Sequence, residues 1–197
     1  MMRKFKTDER LEKIIQTLKA RQFSLSVVME NIHDPHNVSA VFRTCDAVGV
    51  PKISLLYTVD TFPKISKTSS SSANKWIEID KYNNTGKCFD ELHKQGFKIY
   101  ASMLNKKTVN LYDIDLTQKI VLVFGNEQRG VSPEAEKLAD ETFYIPMRGM
   151  IQSLNVSVAA AVTLYEAQRQ RVLNGLYQKS ELSRQQLDEL IEKWCDK

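Results

Sequence analysis

The sequence predicts an α/β domain built on a mainly parallel sheet flanked by helices. Strand-like and helix-like segments alternate along the chain, and the inner strands are near-continuous apolar runs, as strands buried on both faces must be. No internal repeat interrupts this order, and 197 residues suit one domain with short terminal additions.

The elements follow in turn. Residues 8–20 (DERLEKIIQTLKA) put Leu11, Ile14, Ile15 and Leu18 at helical spacing, giving an amphipathic first helix. Residues 25–29 read as a short strand. Residues 37–48 read as a helix with Val38, Val41, Phe42 and Cys45 on one face, Asn37 at its N-cap and Gly49 at its end. The run KISLLY (52–57) is an apolar strand behind Pro51, and residues 60–75, with Pro63, Lys64, Lys67 and a serine run, form a loop. A short strand is expected at 76–79 and a helix at 85–95, closed by Gly96. Strands follow at 97–103 and 119–124. Ser132 caps a short helix with Pro133 in its first position, and 142–145 is the last strand. Residues 157–173 form an alanine-rich helix ending at Asn174-Gly175. In a final helix from about Ser183, Leu187, Leu190, Ile191 and Trp194 make an apolar stripe that must pack on something.

Composition narrows the function classes. With 42% hydrophobic and 26% charged residues, the chain has the balance of a soluble globular protein. No apolar stretch reaches bilayer-spanning length, and the first residues are charged where a signal peptide is apolar, so a cytoplasmic protein without a membrane segment is expected. Cys45, Cys88 and Cys195 are odd in number and widely spaced, as free reduced thiols are. His33 and His36 lie close together but lack a third ligand, so no metal is expected. The net charge of +4 is unevenly placed. Arg3, Lys4, Lys6, Arg10, Lys13, Lys19 and Arg21 face only Asp8, Glu9 and Glu12, a surplus equal to that of the whole chain. A basic terminal helix is either an electrostatic footprint for phosphate backbones or a solvated face.

Ligands of open α/β sheets bind beyond the carboxyl ends of the strands, and three segments fall there. The first, residues 30–37 (ENIHDPHN), is followed by Arg43 on the helix. Asn37 serves as a cap or as a site residue. Arg43 is a surface arginine, or else a guanidinium set in an apolar helix and needing an anionic partner. The second, residues 125–130 (GNEQRG), follows the apolar strand KIVLVF, and its two glycines suggest tight backbone geometry near a ligand. Neither a GxGxxG fingerprint nor a phosphate-binding GxxxxGK[ST] occurs, which excludes the common nucleotide motifs. The third, residues 145–155 (IPMRGMIQSLN), ends a strand, turns through a glycine loop and opens a long helix. Ser153 and Asn155 either cap that helix or help its N-terminus to hold an anion.

Taken together, HNVSAVFRTCDAVG (36–49), VFGNEQRGVS (123–132) and IPMRGMIQSLNVSVAAAVTLYEAQRQR (145–171) resemble the three motifs of the SpoU/TrmH family, within the SPOUT superfamily of RNA methyltransferases. The likeness runs in order over nearly the whole chain. Within the family it is strongest to the members that methylate guanosine 18 in the D-loop of tRNA. The resemblance implies the α/β knot fold, with a deep C-terminal trefoil knot that cradles the methyl donor, and a homodimer whose interface lies at the active site. It implies S-adenosyl-L-methionine as cofactor, tRNA as partner and transfer of a methyl group to a ribose 2′-hydroxyl; another tRNA position, ribosomal RNA or a non-catalytic RNA-binding role are the alternatives. Position by position, Arg43, Asn37, Glu127, Ser153 and Asn155 match the catalytic set, and Ser102, Gly125, Ile145 and Leu154 match donor-binding backbone positions. Lys4, Lys6 and Arg10 are expected to touch tRNA phosphates. Residues 67–73 do not match the family pattern. In domain terms the expectation is a basic helix (1–20), a methyltransferase domain (21–175) and a helical extension (176–197). The resemblance implies that Arg43 acts at the 2′-hydroxyl, either accepting its proton or fixing the adjacent phosphate. Arginine stays protonated in proteins, so anchoring a phosphate and stabilising a developing alkoxide is the preferred expectation, with Asn37 orienting Arg43 or the ribose and Glu127 pairing with a cation.

Overall fold

Two strands, buried along their whole length, set the centre of the molecule. β1 (Leu25–Glu30) and β6 (Ile120–Phe124) are buried at every position and pair in parallel, Leu25 beside Ile120 through Met29 beside Phe124. The computed structural model describes Arg3 and residues 6–62, 75–104 and 108–197. Within these, β2 (Lys52–Leu56), β3 (Glu78–Tyr82), β4 (Lys98–Ser102), β5 (Val109–Asn110) and β7 (Glu141–Tyr144) complete a seven-stranded sheet of order β3-β2-β1-β6-β4-β7-β5. Every described pairing between these strands is parallel. All the carboxyl ends therefore lie along one edge, and the strand order reverses beside β1, where such sheets open a ligand crevice.

Alternating side chains along the strands feed two cores. Leu25, Val27, Met29, Leu122 and Phe124 pack with α2 (Pro35–Val48) and α5 (Val156–Leu173). On the opposite face Val28, Val121 and Val123 pack with α3 (Thr85–Lys94) and α4 (Pro133–Leu138). Phe42 is fully buried between α2 and the sheet, and truncating a buried phenylalanine to alanine costs about 3–5 kcal/mol. A third cluster joins α1 (Asp8–Lys19) to α6 (Arg184–Cys195) through Ile14, Leu18, Ile191 and Trp194, which accounts for the apolar stripe of the last helix. Among the described residues no helix is long and apolar enough to cross a membrane, and no cluster of three or more His, Cys, Asp or Glu could hold a metal ion. All three cysteines are free and buried.

The structure moves several expected boundaries. The strand expected at 76–79 runs instead over Glu78–Tyr82, because Trp76 is drawn into the α1–α6 cluster, its ring 4.8 Å from that of Trp194. Asn37 does not cap α2. The helix starts two residues earlier, with Asp34 accepting from the His36 amide and Pro35 filling the first turn. Most of the loop expected at 60–75, including its serine run, lies outside the described residues, as does Lys4.

Candidate active site

Loops leaving β4, β6 and β7 meet the segment before α5 around one cavity of about 380 Å³. Small-molecule sites commonly enclose roughly 300–1,000 Å³. Its wall includes Ser102, Gly125, Ile145 and Leu154, the four positions expected to hold a methyl donor, and also Glu127, Ser153 and Asn155. Gly125 is required there by packing. A Cβ at this position would lie 2.2 Å from the Gly130 carbonyl carbon, because the chain doubles back on itself. The return is held by Asn126 N–H to Gly130 O (3.0 Å) and Gly130 N–H to Asn126 O (2.8 Å), with Gly130 at φ 68. The Asn126 side chain rigidifies the turn further, its Oδ1 accepting from the Gln128 and Arg129 amides at 2.9 and 3.1 Å. Phe124, Ile145, Met147 and Leu154 give the cavity an apolar side, while Glu127 places a carboxylate on its wall. That pairing suits a cationic ligand with a flat aromatic part, such as S-adenosylmethionine.

Glu127 starts a directional hydrogen-bond chain. Its Oε1 accepts from Asn37 Nδ2 (2.8 Å) and the Asp34 amide (3.3 Å), and its Oε2 accepts from the His33 amide (3.0 Å). Burial alone would push this carboxyl up, but the bonds from Asn37, His33 and Asp34 prevail and hold it below the usual glutamate range. An ionised carboxylate only accepts, so Asn37 must turn its NH₂ toward Glu127 and its carbonyl away. That carbonyl accepts from Asn155 Nδ2 at 3.1 Å. Asn155 is thereby turned with its own Oδ1 toward the Ser157 amide (2.9 Å), where it caps α5. The charge of Glu127 thus sets the orientation of two amides on two different helices.

The remaining expected residues stand apart from this chain. Arg43 lies on the exposed face of α2 and makes no hydrogen bond or ion pair among the described residues. It needs no internal counter-ion, since the apolar neighbours in sequence point the other way. Six residues beyond Asn37, it sits about 9 Å further along the helix axis at 1.5 Å per residue. Asn37 bonds to Glu127 and Asn155 rather than to Arg43, and Glu127 holds amides rather than a cation. Ser153 is exposed on the cavity wall and does not cap α5. Lys6 is half-buried, and Arg10 lies over the Trp76 ring at 5.2 Å on the α1–α6 side of the molecule.

Three features of the site were not anticipated. Asn126 reaches the Asn31 carbonyl (2.7 Å), the Asn31 side chain holds the loop after β2, and Arg129 pairs with Asp60. The available signal was an asparagine directly behind an apolar strand, a residue type that tolerates the left-handed conformation.

Comparison with known proteins bears on this geometry. The tRNA (guanosine(18)-2′-O)-methyltransferase of Aquifex aeolicus is 42% identical over 188 residues, covering 95% of this chain and 89% of the relative. The crystal structure of the A. aeolicus TrmH/SpoU tRNA modifying enzyme superposes with a TM-score of 0.89 at 41% identity, covering 95% of each chain. The SpoU methyltransferase AviRb from Streptomyces viridochromogenes, solved in complex with AdoMet, matches with a TM-score of 0.69 at 26% identity, over 79% of this chain and 62% of that one. Residues 24–165 match the SpoU rRNA Methylase family model, and the chain belongs to that family.

Proposed function

We propose that this chain transfers the methyl group of S-adenosylmethionine to the ribose 2′-hydroxyl of guanosine 18 in the D-loop of tRNA. The observation that carries the reading is the shared wall: Glu127 and Asn155 belong both to the cavity and to the hydrogen-bond chain that reaches α2, the helix bearing Arg43. The relative from A. aeolicus named for this reaction supports the choice of acceptor.

When bound, S-adenosylmethionine supplies a methyl group on a sulfonium, already activated for displacement. The backbone around Ser102, Gly125, Ile145 and Leu154 holds the donor, with Glu127 placing negative charge beside it. Ser153 offers a hydroxyl at the same wall. Arg43, permanently charged and open to solvent, anchors a phosphate next to the acceptor ribose and stabilises negative charge as it develops on the 2′-oxygen. Asn37 and Asn155 keep α2 and α5 in register, so that the guanidinium and the donor face one acceptor. Lys4, Lys6 and Arg10 bind tRNA backbone, which positions the substrate without reading its sequence.

The reading includes a homodimer and the deep C-terminal knot. A second copy is supported by Val158, Tyr165 and Val172, which recur every seventh residue along one exposed stripe of α5, with Met150 and Ile151 exposed nearby in sequence. The knot is supported by the convergence of residues 102–104, 124–130, 144–145 and 152–156 on one cavity. The reaction takes place in the cytoplasm, where tRNA is matured.

Calorimetric titration with S-adenosylmethionine, beside tritiated-methyl transfer into unmodified tRNA and into ribosomal RNA, tests the proposal. Donor binding with label entering tRNA is the expected result. Label entering ribosomal RNA alone would favour the rRNA activity in the family's name, and donor binding without transfer would leave an RNA-binding protein.

A further inference from the structure

Among the described residues, Asn31 is the one non-glycine with positive φ (48), and it is buried at the carboxyl end of β1. Asparagine tolerates this conformation better than most L-residues, and at this position its polar groups are also held by their surroundings. Here the surroundings are two loops. The Asn31 carbonyl accepts from Asn126 Nδ2 at 2.7 Å, in the turn that walls the cavity. Its side chain caps the loop after β2, with Oδ1 accepting from the Thr58, Val59 and Asp60 amides at 3.0, 3.2 and 3.4 Å and Nδ2 donating to Thr58 Oγ1 at 3.1 Å. The contacts close into a ring. Asn126 Oδ1 accepts from the Arg129 amide, the Arg129 guanidinium pairs with the Asp60 carboxylate, and the Asp60 amide returns to Asn31. Asn126 and Arg129 both line the cavity. The neighbouring Glu30 holds the far end of the same turn, accepting from the Ser132 amide at 2.9 Å.

We infer that Asn31 is a positioning residue for methyl transfer: through this ring it fixes the 125–130 wall of the donor cavity, and with it Glu127, to the loop that follows β2. The inference rests on the methyl-donor reading above. An ordinary turn cap would satisfy amides of its own loop. This one satisfies amides of the loop after β2 instead, and holds through its main chain a loop from the other side of β1.

The test separates side chain from backbone. Asn31→Gly keeps the left-handed backbone and the carbonyl bond to Asn126 but removes the cap. Asn31→Asp keeps an acceptor for the three amides. Asp60→Ala opens the ring at an exposed loop without touching Asn31. Donor dissociation constants by calorimetry and steady-state kinetics on tRNA are measured for each. Asn31→Gly and Asp60→Ala are expected to raise the donor KM about tenfold with kcat at saturating donor changed less than about twofold, the pair together no worse than Asn31→Gly alone, and Asn31→Asp to recover most of the loss. Donor affinity in Asn31→Gly equal to wild type overturns the inference, as does additivity in the double variant. Should Asn31→Gly fail to fold, Asp60→Ala decides by the same criterion. A wild-type protein that binds no donor would instead sink the methyltransferase reading itself.

Discussion

Asn37 donates its side-chain amide to the Glu127 carboxylate at 2.8 Å, joining the first turns of α2 to the turn after β6 across 90 residues of sequence. The bond is possible because β1 and β6 are neighbours in the sheet, so the loops at their carboxyl ends emerge side by side. Its direction matters as much as its length, since an ionised Glu127 dictates which way both Asn37 and Asn155 face.

Glu127→Gln tests that direction. The amide retains a single acceptor oxygen, yet the carboxylate serves the Asn37 and Asp34 donors with one oxygen and the His33 donor with the other. Either rotamer sets an NH₂ against a donor. At about 1.5–3 kcal/mol for a hydrogen bond to a charged group, kcat/KM should fall roughly 10- to 100-fold. The pH dependence follows from the sign of the shift. A carboxyl held below its ordinary 4.5 lends the folded site stability that is fully present above that value and is lost only as pH falls through the lower folded value. Donor affinity of the wild type, followed by calorimetry, should therefore stay level from neutral pH down to the ordinary glutamate range. The acid loss below it should be absent in Glu127→Gln.

Arg43→Ala should abolish transfer while leaving donor binding within about twofold and stability within about 0.5 kcal/mol, because the side chain is exposed and unbonded among the described residues. Arg43→Lys should recover only part of the activity, since an ammonium lacks the planar fork that grips phosphate. Isothermal titration beside a tritium transfer assay measures the separation. Parallel loss of binding and transfer would remove Arg43 from its assigned role.

Arg171 offers the opposite case, a guanidinium used entirely inside the fold. It is fully buried at the end of α5 and donates to Leu116 O, Gln22 Oε1, Ser24 Oγ, Ser24 O and Gln118 O, with Glu181 at 3.7 Å. Arg171→Leu strands those acceptors and should cost about 3–5 kcal/mol, read as a lowered urea midpoint. A loss below about 1 kcal/mol would mean that the acceptors find water instead.

Most of the sheet was legible in the sequence for a simple reason. β1 and β6 bury both faces, so their apolar runs announce them, whereas β3 (EIDKY) is an edge strand whose polar pattern hides it behind the more apolar Trp76-Ile77. β5, only two residues long, carries no pattern at all. On α2, the buried Val38, Val41, Phe42 and Cys45 define a stripe, and the same period puts Arg43 on the outside, a point that reading its neighbours as a linear apolar string obscured. The candidate site residues came from motif resemblance, but their mutual bonds did not. Asn37 looked like a cap, and only the Asp34-Pro35 start of the helix frees its side chain for Glu127 and Asn155. The Asn31 ring depends on which strands become neighbours, and no local pattern encodes that.

The basic α1 end makes a prediction in salt. Neutralising Lys6 and Arg10 together should weaken tRNA binding and reduce the slope of log K against log salt by roughly one for each phosphate the protein ceases to touch. Arg10 over Trp76 ties part of this charge to the α1–α6 cluster, so a stability check by thermal melting belongs beside the filter-binding measurement. An unchanged slope would reject phosphate binding by these two side chains.

The identity of the acceptor atom is tested most directly by mass-spectrometric mapping of two tRNA transcripts, one all-ribose and one carrying 2′-deoxyguanosine at position 18, after incubation with the protein and S-adenosylmethionine. A single 2′-O-methylguanosine at position 18 of the first and no methyl on the second is the expected result. A methyl on a base, on another ribose, or on the deoxy transcript would overturn the assignment.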